Sequence, residues 1–487
     1  MIDSTMVPSQ QQLVIFEEFR TGKRNVVVRA RAGCAKTTSI IRGIDFAPET
    51  SILLAAFGKS IAEELRKKIK NSKAEAKTLH SVGASIVYGN WAGCKLDGER
   101  GMKLAKKACG AAPDQFVNLV CRLAALGKGM CPFPKEGELE DIAYEFEIVP
   151  DESQQTQGWT MQVLSTAAEL AMELAAQPDG TIDFDDMIYV PVRNSWLRGK
   201  YGLVVIDECQ DMNAAQIMLA IGVCKMGGRI VVVGDDRQAI YKFRGADSGS
   251  LDRLKTQLNA IELSLTITYR CPTVIVDLAK VLVPDFQAAP TAPKGEIITI
   301  DFERLHELAV PGDFVLSRKN APLAKCCLRL LRHGKRAMIE GKDLGKALVA
   351  VVKNLRARSI PDFMEKLTIW EDRTTKRLMA TKKKAAEARC EVVKDQAETL
   401  RALAEGMKGM QELTDRIFTL FTETPNGKAD YVVCSSVHKA KGRERDNVYA
   451  LRETLYPGGR RDLEEQNIEY VMITRAKKKL VWVEGIQ

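Results

Sequence analysis

The chain has 487 residues, 28% of them charged, with a formal net charge of +9. This length allows two to four domains, and the basic excess is compatible with a polyanionic partner without requiring one. Its 12 scattered cysteines include no Cys-x-x-Cys pair, and there are only 4 histidines, which argues against a zinc site or a disulfide framework and for a reducing compartment. No run approaches the roughly 18 apolar residues of a membrane span, and the N-terminus lacks the basic-then-apolar order of a signal peptide. A soluble, cytoplasmic protein with no membrane partner is expected.

In chain order, the β-rich run Asn25 to Ala30 predicts a strand, Thr37 to Ile44 a helix, Ser51 to Phe57 a second strand and Lys59 to Lys70 a helix. The first strand leads into Ala30-Arg31-Ala32-Gly33-Cys34-Ala35-Lys36-Thr37-Thr38. A small-residue loop opening a helix aims backbone N–H groups at an anion. Lys36 could then reach the β/γ-phosphates and Thr37 ligate Mg²⁺. The strict Gly-x-x-x-x-Gly-Lys-Thr pattern fails, because Ala30 and Ala35 take both glycine positions. If Ala35 must adopt φ > 0, strain of about 1 kcal/mol follows. Cys34, at a helix N-terminus beside a lysine, is either a reactive thiol or simply a tolerated small residue.

From about 90 to 180 the strand signal gives way to helical spacing, a helical insertion. Strands return at Leu203 to Ile206, ending in Asp207-Glu208, and at Arg229 to Val233, with a helix predicted over Ala214 to Lys225. This alternation fits a parallel α/β sheet. The loop from Gly234 to Ala246 then gathers Gln238, Tyr241, Phe243 and Arg244. Acids suited to Mg²⁺ beside a loop suited to phosphate and stacked bases point to a motor that couples nucleotide hydrolysis to nucleic-acid binding. A second α/β unit starts near 260, with strands at Glu296 to Ile300, Asp313 to Ser317 and Tyr431 to Ser435 and a helix at Ala321 to His333. Between about 345 and 425 lies a charged, Ala-rich helical insertion holding Arg373 to Arg377 and Thr381-Lys382-Lys383-Lys384. Such a charge run reads first as a solvated helix face and second as a DNA contact.

The ordered set resembles the UvrD/Rep family of superfamily 1 helicases. Pro8 to Gln12 is similar to its adenine-reading motif, Ala32 to Thr37 to its phosphate loop and Asp207 to Asp211 to its acidic motif. Phe57 to Ala62 and Thr78 to Ser81 are similar to two DNA-contact motifs. Tyr269-Arg270, Val437 to Glu444 and Tyr470 to Ala476 complete the series. The resemblance implies an α/β fold of two RecA-like parallel-sheet domains, each with a mainly helical insertion. The first spans 1–255 with its insertion at about 90–180, and the second spans 256–487 with a short charged insertion at about 345–425.

The implied cofactors are ATP and Mg²⁺. Lys36, Asp207, Glu208, Gln238, Arg270 and Arg475 are the expected catalytic set, with Thr37 and Asp207 on the metal. Glu208 would deprotonate the attacking water, Gln238 sense the γ-phosphate, and Arg270 and Arg475 offset charge on it. Gln12, Ala32, Gly33, Cys34, Ala35, Thr38, Tyr269, Gly442 and Glu444 would contact ATP, Tyr269 stacking on adenine and Glu444 holding the ribose. Phe57, Lys59, His80, Tyr241, Phe243, Arg244 and His438 would contact DNA, with core packing as the alternative for the aromatics and for His438. The implied activity is ATP-dependent movement on single-stranded DNA, 3′ to 5′, with duplex unwinding. Expected partners are single-stranded DNA, single/double-strand junctions and replication or repair proteins, for a monomer. Two rivals stand beside it: a translocase that strips proteins without unwinding, and a nucleic-acid-binding module with a disabled ATPase.

Overall fold

Six strands form one sheet: β1 (Val26–Ala30), β2 (Ile52–Ala56), β3 (Ala74–Thr78), β4 (Tyr201–Ile206), β5 (Cys224–Gly234) and β6 (Ile261–Leu265). The computed structural model describes residues 7–486 apart from 57, 147, 151, 241–249, 381–385, 423–429 and 460. The strands lie in the order β3-β2-β4-β5-β1-β6, all parallel. Central positions such as Val27, Leu53, Val204 and Val232 are fully buried, as expected when helices cover both faces of a parallel sheet. Because β4, β5 and β1 are neighbours, the loops leaving Ile206, Gly234 and Ala30 emerge along one edge, at the strands' C-terminal ends, where α/β sheets bind ligands. No described helix is long and apolar enough to cross a membrane.

The chain divides into two units, residues 1–31 with 35–265, and residues 32–34 with 266–487. In the first, helices α1 (Gln10–Thr21), α2 (Lys36–Phe46), α3 (Lys59–Lys68) and α4 (Leu79–Asn90) pack around the sheet. The chain then leaves it for α5 (Arg100–Cys109), α6 (Asp114–Met130), α7 (Glu138–Glu145) and α8 (Met161–Ala175), returning through α9 (Phe184–Arg193). This insertion has its own core, including Phe116, Val120, Leu123, Leu164, Ala168 and Met172. Its two ends are fastened by a short parallel pairing, Lys95 with Thr181 and Leu96 with Ile182.

The second unit has a seven-stranded, wholly parallel sheet. Its strands are β7 (Glu296–Asp301), β8 (Phe314–Ser317), β9 (Ala337–Glu340), β10 (Phe421–Thr422), β11 (Val432–Ser436), β12 (Arg445–Leu451) and β13 (Ala476–Glu484). They are ordered β7-β13-β12-β8-β11-β9-β10. Helix α10 (Asn320–Arg332) covers it, and α11 (Lys342–Leu355), α12 (Ile360–Ala380), α13 (Ala386–Ala404) and α14 (Met410–Leu420) form the charged insertion. These four helices have no separate core: Phe363, Leu367, Leu400 and Ile417 share one apolar cluster with Val315, Leu323 and Val432. The run Thr381 to Lys384, weighed as a DNA contact, lies outside the described residues.

A carboxylate ties this insertion to α10, the helix that covers the sheet. The residue capping α10, Lys319, offers its helix no side-chain acceptor. Asp395 of α13 supplies one instead, accepting from the N–H of Asn320 at 2.9 Å, the N–H of Ala321 at 2.8 Å and the Asn320 side-chain amide at 2.9 Å. Losing a helix cap costs about 0.5–2 kcal/mol, and Asp395 is only 8% exposed. Asp395→Ala is expected near the upper end, about 2 kcal/mol, read as faster amide hydrogen exchange across residues 320–332. Unchanged protection there would refute the capping role.

Candidate active site

The loop after β1 turns through two left-handed residues, Gly33 (φ 68°) and Ala35 (φ 58°), before α2 opens at Lys36. A Cβ in that region costs about 1–2 kcal/mol, so Ala35 carries the strain expected of an alanine at a glycine position. Ala35→Gly removes it but loosens the unfolded chain by about 0.4–1 kcal/mol. The net expectation is a gain of up to about 1.6 kcal/mol, seen as a higher denaturation midpoint. A lower midpoint would show that the side chain is needed there.

Lys36 and the acidic pair meet at the sheet edge. Lys36 Nζ lies 2.9 Å from Glu208 Oε1. Asp207, 4% exposed, also takes a hydrogen bond from Thr37, and burial, with the Glu208 charge adding, pushes it up to about 6 against Lys36 and Thr37. Glu208 itself sits at φ 52°. This strained turn lets its N–H donate to Asp207 Oδ1 at 2.9 Å and swings its side chain back over Lys36. Strain at a non-glycine residue is characteristic of sites where geometry is held for chemistry. Thr37 and Asp207 also fit a Mg²⁺ ion, which takes one or two protein ligands and fills the rest of its octahedron with phosphate and water.

Sequence reasoning passed over Gln210 and Arg31, which complete the site. Gln210 Nε2 donates to Glu208 Oε2 at 2.6 Å, while its Oε1 accepts from the Asp235 N–H at 3.1 Å. Asp235 Oδ2 in turn accepts from Gln238 Nε2 at 2.6 Å. Arg31 reaches Asp235 at 3.1 Å and Asp236 at 2.8 Å. Burial nonetheless raises Asp235 above its ordinary value, whereas Arg31 and Arg29 outweigh burial and lower Asp236. The only sequence signal for either residue was its place inside a motif, Gln210 after the acids and Arg31 before the phosphate loop.

Other expected residues are placed differently. Gln12 is buried with both ends of its amide engaged. Its Oε1 accepts from Ser9 N–H at 2.9 Å in a capping box, and its Nε2 donates to Ser39 Oγ at 2.9 Å. Thr38 lies in the first turn of α2, and Ala32 and Cys34 are buried. Burial of Cys34 removes the access that a reactive thiol requires. Lys59 is exposed at the start of α3. His80, in the first turn of α4, is held below its ordinary value by burial, with Asp185 opposing. Phe57, Tyr241, Phe243 and Arg244 lie outside the described residues.

In the second unit, Arg270 pairs with Glu444 at 2.9 Å, so groups expected on phosphate and ribose hold each other. Tyr269 is 37% exposed. Arg475 is 1% exposed and donates to the carbonyls of Val471 at 2.9 Å and Arg443 at 3.3 Å. Burial, with Arg270 adding, lowers it to about 10. His438 lies in the short helix Val437–Ala440, and Gly442 follows at φ 83°.

The family model for the UvrD/REP helicase N-terminal domain matches residues 9–259, and that for the UvrD-like helicase C-terminal domain matches residues 431–483. The ATP-dependent DNA helicase Rep of Salmonella typhimurium is 34% identical over 112 residues, 21% of this chain and 16% of Rep. The ATP-dependent DNA helicase PcrA of Bacillus subtilis is 35% identical over 99 residues, covering 18% of this chain and 13% of PcrA. The putative ATP-dependent DNA helicase YjcD of Bacillus subtilis is 25% identical over 275 residues, covering 52% and 35% respectively. The matched stretches thus span well under half of each relative's own length. With its N-terminal family model alone matching residues 9–259, the chain belongs to the UvrD/Rep helicase family, and its two parallel α/β sheets are of the RecA-like kind.

Proposed function

We propose that this chain hydrolyses ATP to move 3′ to 5′ along single-stranded DNA and to separate duplex strands. The observation that carries this reading is the convergence of Lys36, Asp207, Glu208 and Gln238 on one edge of one parallel sheet, with Glu208 2.9 Å from Lys36. Phosphate binding falls to the loop and to Lys36. Glu208 takes the proton of the attacking water, a task requiring a carboxylate within hydrogen-bond reach. Gln238 senses the γ-phosphate, and Arg270 and Arg475 offset the charge that develops on it. Mg²⁺, held through Thr37 and Asp207, would neutralise phosphate charge. Phe57, Lys59, His80, Tyr241, Phe243, Arg244 and His438 are assigned to DNA, in keeping with sequence-tolerant stacking and phosphate contacts.

The test is steady-state ATP hydrolysis with and without single-stranded DNA, beside Lys36→Ala. Stimulation by DNA that disappears in the variant supports the motor, and 3′- and 5′-tailed duplexes then report direction. Hydrolysis no greater than that of Lys36→Ala would leave only a nucleic-acid-binding module.

A further inference from the structure

We propose that Gln210 is a positioning residue that couples the Asp235–Gln238 turn to the carboxylate of Glu208. Its side chain is fully buried and spans two loops that share no covalent connection nearer than β5. The amide nitrogen holds Glu208 Oε2 at 2.6 Å, and the amide oxygen holds the Asp235 N–H at 3.1 Å. From Asp235 the chain of bonds continues to Gln238 at 2.6 Å. At its other end Glu208 Oε1 reaches Lys36 at 2.9 Å. A continuous line thus runs from the phosphate-loop lysine, through Glu208 and Gln210, to the glutamine at the end of β5.

Little slack exists in this seat. A Cβ added at Gly234 would lie 2.7 Å from Gln210 Oε1 and 2.7 Å from Cys209 Sγ, so the glycine lets the amide come close against the strand end. A buried amide with a donor and an acceptor both engaged resists displacement, since breaking either bond leaves an unsatisfied polar group costing about 1–3 kcal/mol. Both oxygens of Glu208 are engaged in this state, one by a cation and one by an amide. Nucleotide phosphate competes for Lys36. Release of the other oxygen requires the Gln210 amide to let go, and that same amide is held by the Asp235 N–H. The turn Asp235 to Gln238 leads within three residues into the stretch carrying Tyr241, Phe243 and Arg244. Gln210 therefore transmits the state of that turn to Glu208, a coupling between two sites through one shared side chain.

This inference rests on Glu208 acting as the base. The measurement is kcat and KM for ATP, with and without single-stranded DNA, for the full chain and for Gln210→Ala and Gln210→Met. Methionine fills much the same space but offers Glu208 no donor and the Asp235 N–H no strong acceptor, and it guards against a folding defect in the alanine variant. In both, the ratio of DNA-stimulated to basal kcat is expected to fall at least tenfold, with KM within about twofold of the parent. A parallel loss of basal and stimulated rates would mean a merely structural role and would overturn the proposal, as would an unchanged ratio. A parent chain that DNA does not stimulate would instead defeat the function proposed above, so the two failures are distinguishable.

Discussion

Glu208→Gln is expected to lower the DNA-stimulated kcat by about 10²–10⁴ while moving the KM for ATP only a few-fold. The amide has the shape of the carboxylate and can still offer an oxygen to Lys36, so nucleotide binding through the loop and lysine survives. It cannot accept a proton from water, and that alone accounts for the loss. The backbone favours this separation of effects. Glu208 is held at φ 52° by the bond from its own N–H to Asp207, and glutamine should keep that turn. Lys36→Ala should behave in the opposite sense, raising KM strongly because it removes a phosphate ligand. A Glu208→Gln enzyme within about fivefold of the parent kcat would exclude proton abstraction by this residue as a major term.

How far the sequence was legible follows from what each residue's neighbours contribute. The runs Val26–Val28 and Leu203–Ile206 were readable because strands buried on both faces read as continuous apolar runs. Strand β3, Ala-Glu-Ala-Lys-Thr, was not read at all. It lies at the sheet edge, buries only its central Ala76 and carries the charges that protect edges. The predicted helix Ala214 to Lys225 ends at Gly222, because β5 starts at Cys224 and runs through the exposed residues Lys225 to Gly227 before its apolar core. Helical character of both insertions was visible in their spacing. Whether an insertion owns a core was not: Phe116 and Phe363 look alike in sequence, yet one packs within its own helices and the other joins the sheet's cluster.

The same limit applies at the site. Lys36, Asp207 and Glu208 could be named because their chemistry is tied to short local patterns. The partnership of Gln210 with Asp235 joins residues 25 apart, and only the strand order β4-β5 brings them together. For Gln12 the sequence held a competing signal, since Ser9-Gln10-Gln11-Gln12 is also a capping box. That signal describes the bond its Oε1 makes here, while its Nε2 donates to Ser39 Oγ.

Asp186→Asn should destabilise the first insertion by about 3–5 kcal/mol, the cost of removing one member of a buried ion pair. Asp186 is fully buried and accepts from Lys128 at 2.7 Å, from Arg100, and from the Asp183 N–H at 3.0 Å. Those two cations, 4% and 1% exposed, come from α6 and α5. One carboxylate at the start of α9 therefore bridges cations on two insertion helices, with Asp179 and Asp183 supplying further negative charge. Burial alone would raise Asp186, but Lys128 and Arg100 outweigh it and hold it below the usual carboxylate range. Its contribution is accordingly present above about pH 4 and lost as pH falls through the lowered value. Asp183 behaves oppositely: burial pushes it up to about 6, with Lys128 opposing and Asp186 adding. Between about pH 4 and 6 the folded state holds a proton the unfolded chain has released, so this group's contribution falls as pH rises. Two units rarely unfold in one step, which makes hydrogen exchange of α5, α6 and α9 the appropriate measurement. Asp179→Asn supplies the contrast, since it removes another Arg100 partner, at 3.2 Å, whose side chain is 41% exposed. It should cost no more than about 1 kcal/mol. Equal losses in the two variants would mean that burial does not set the strength of this network.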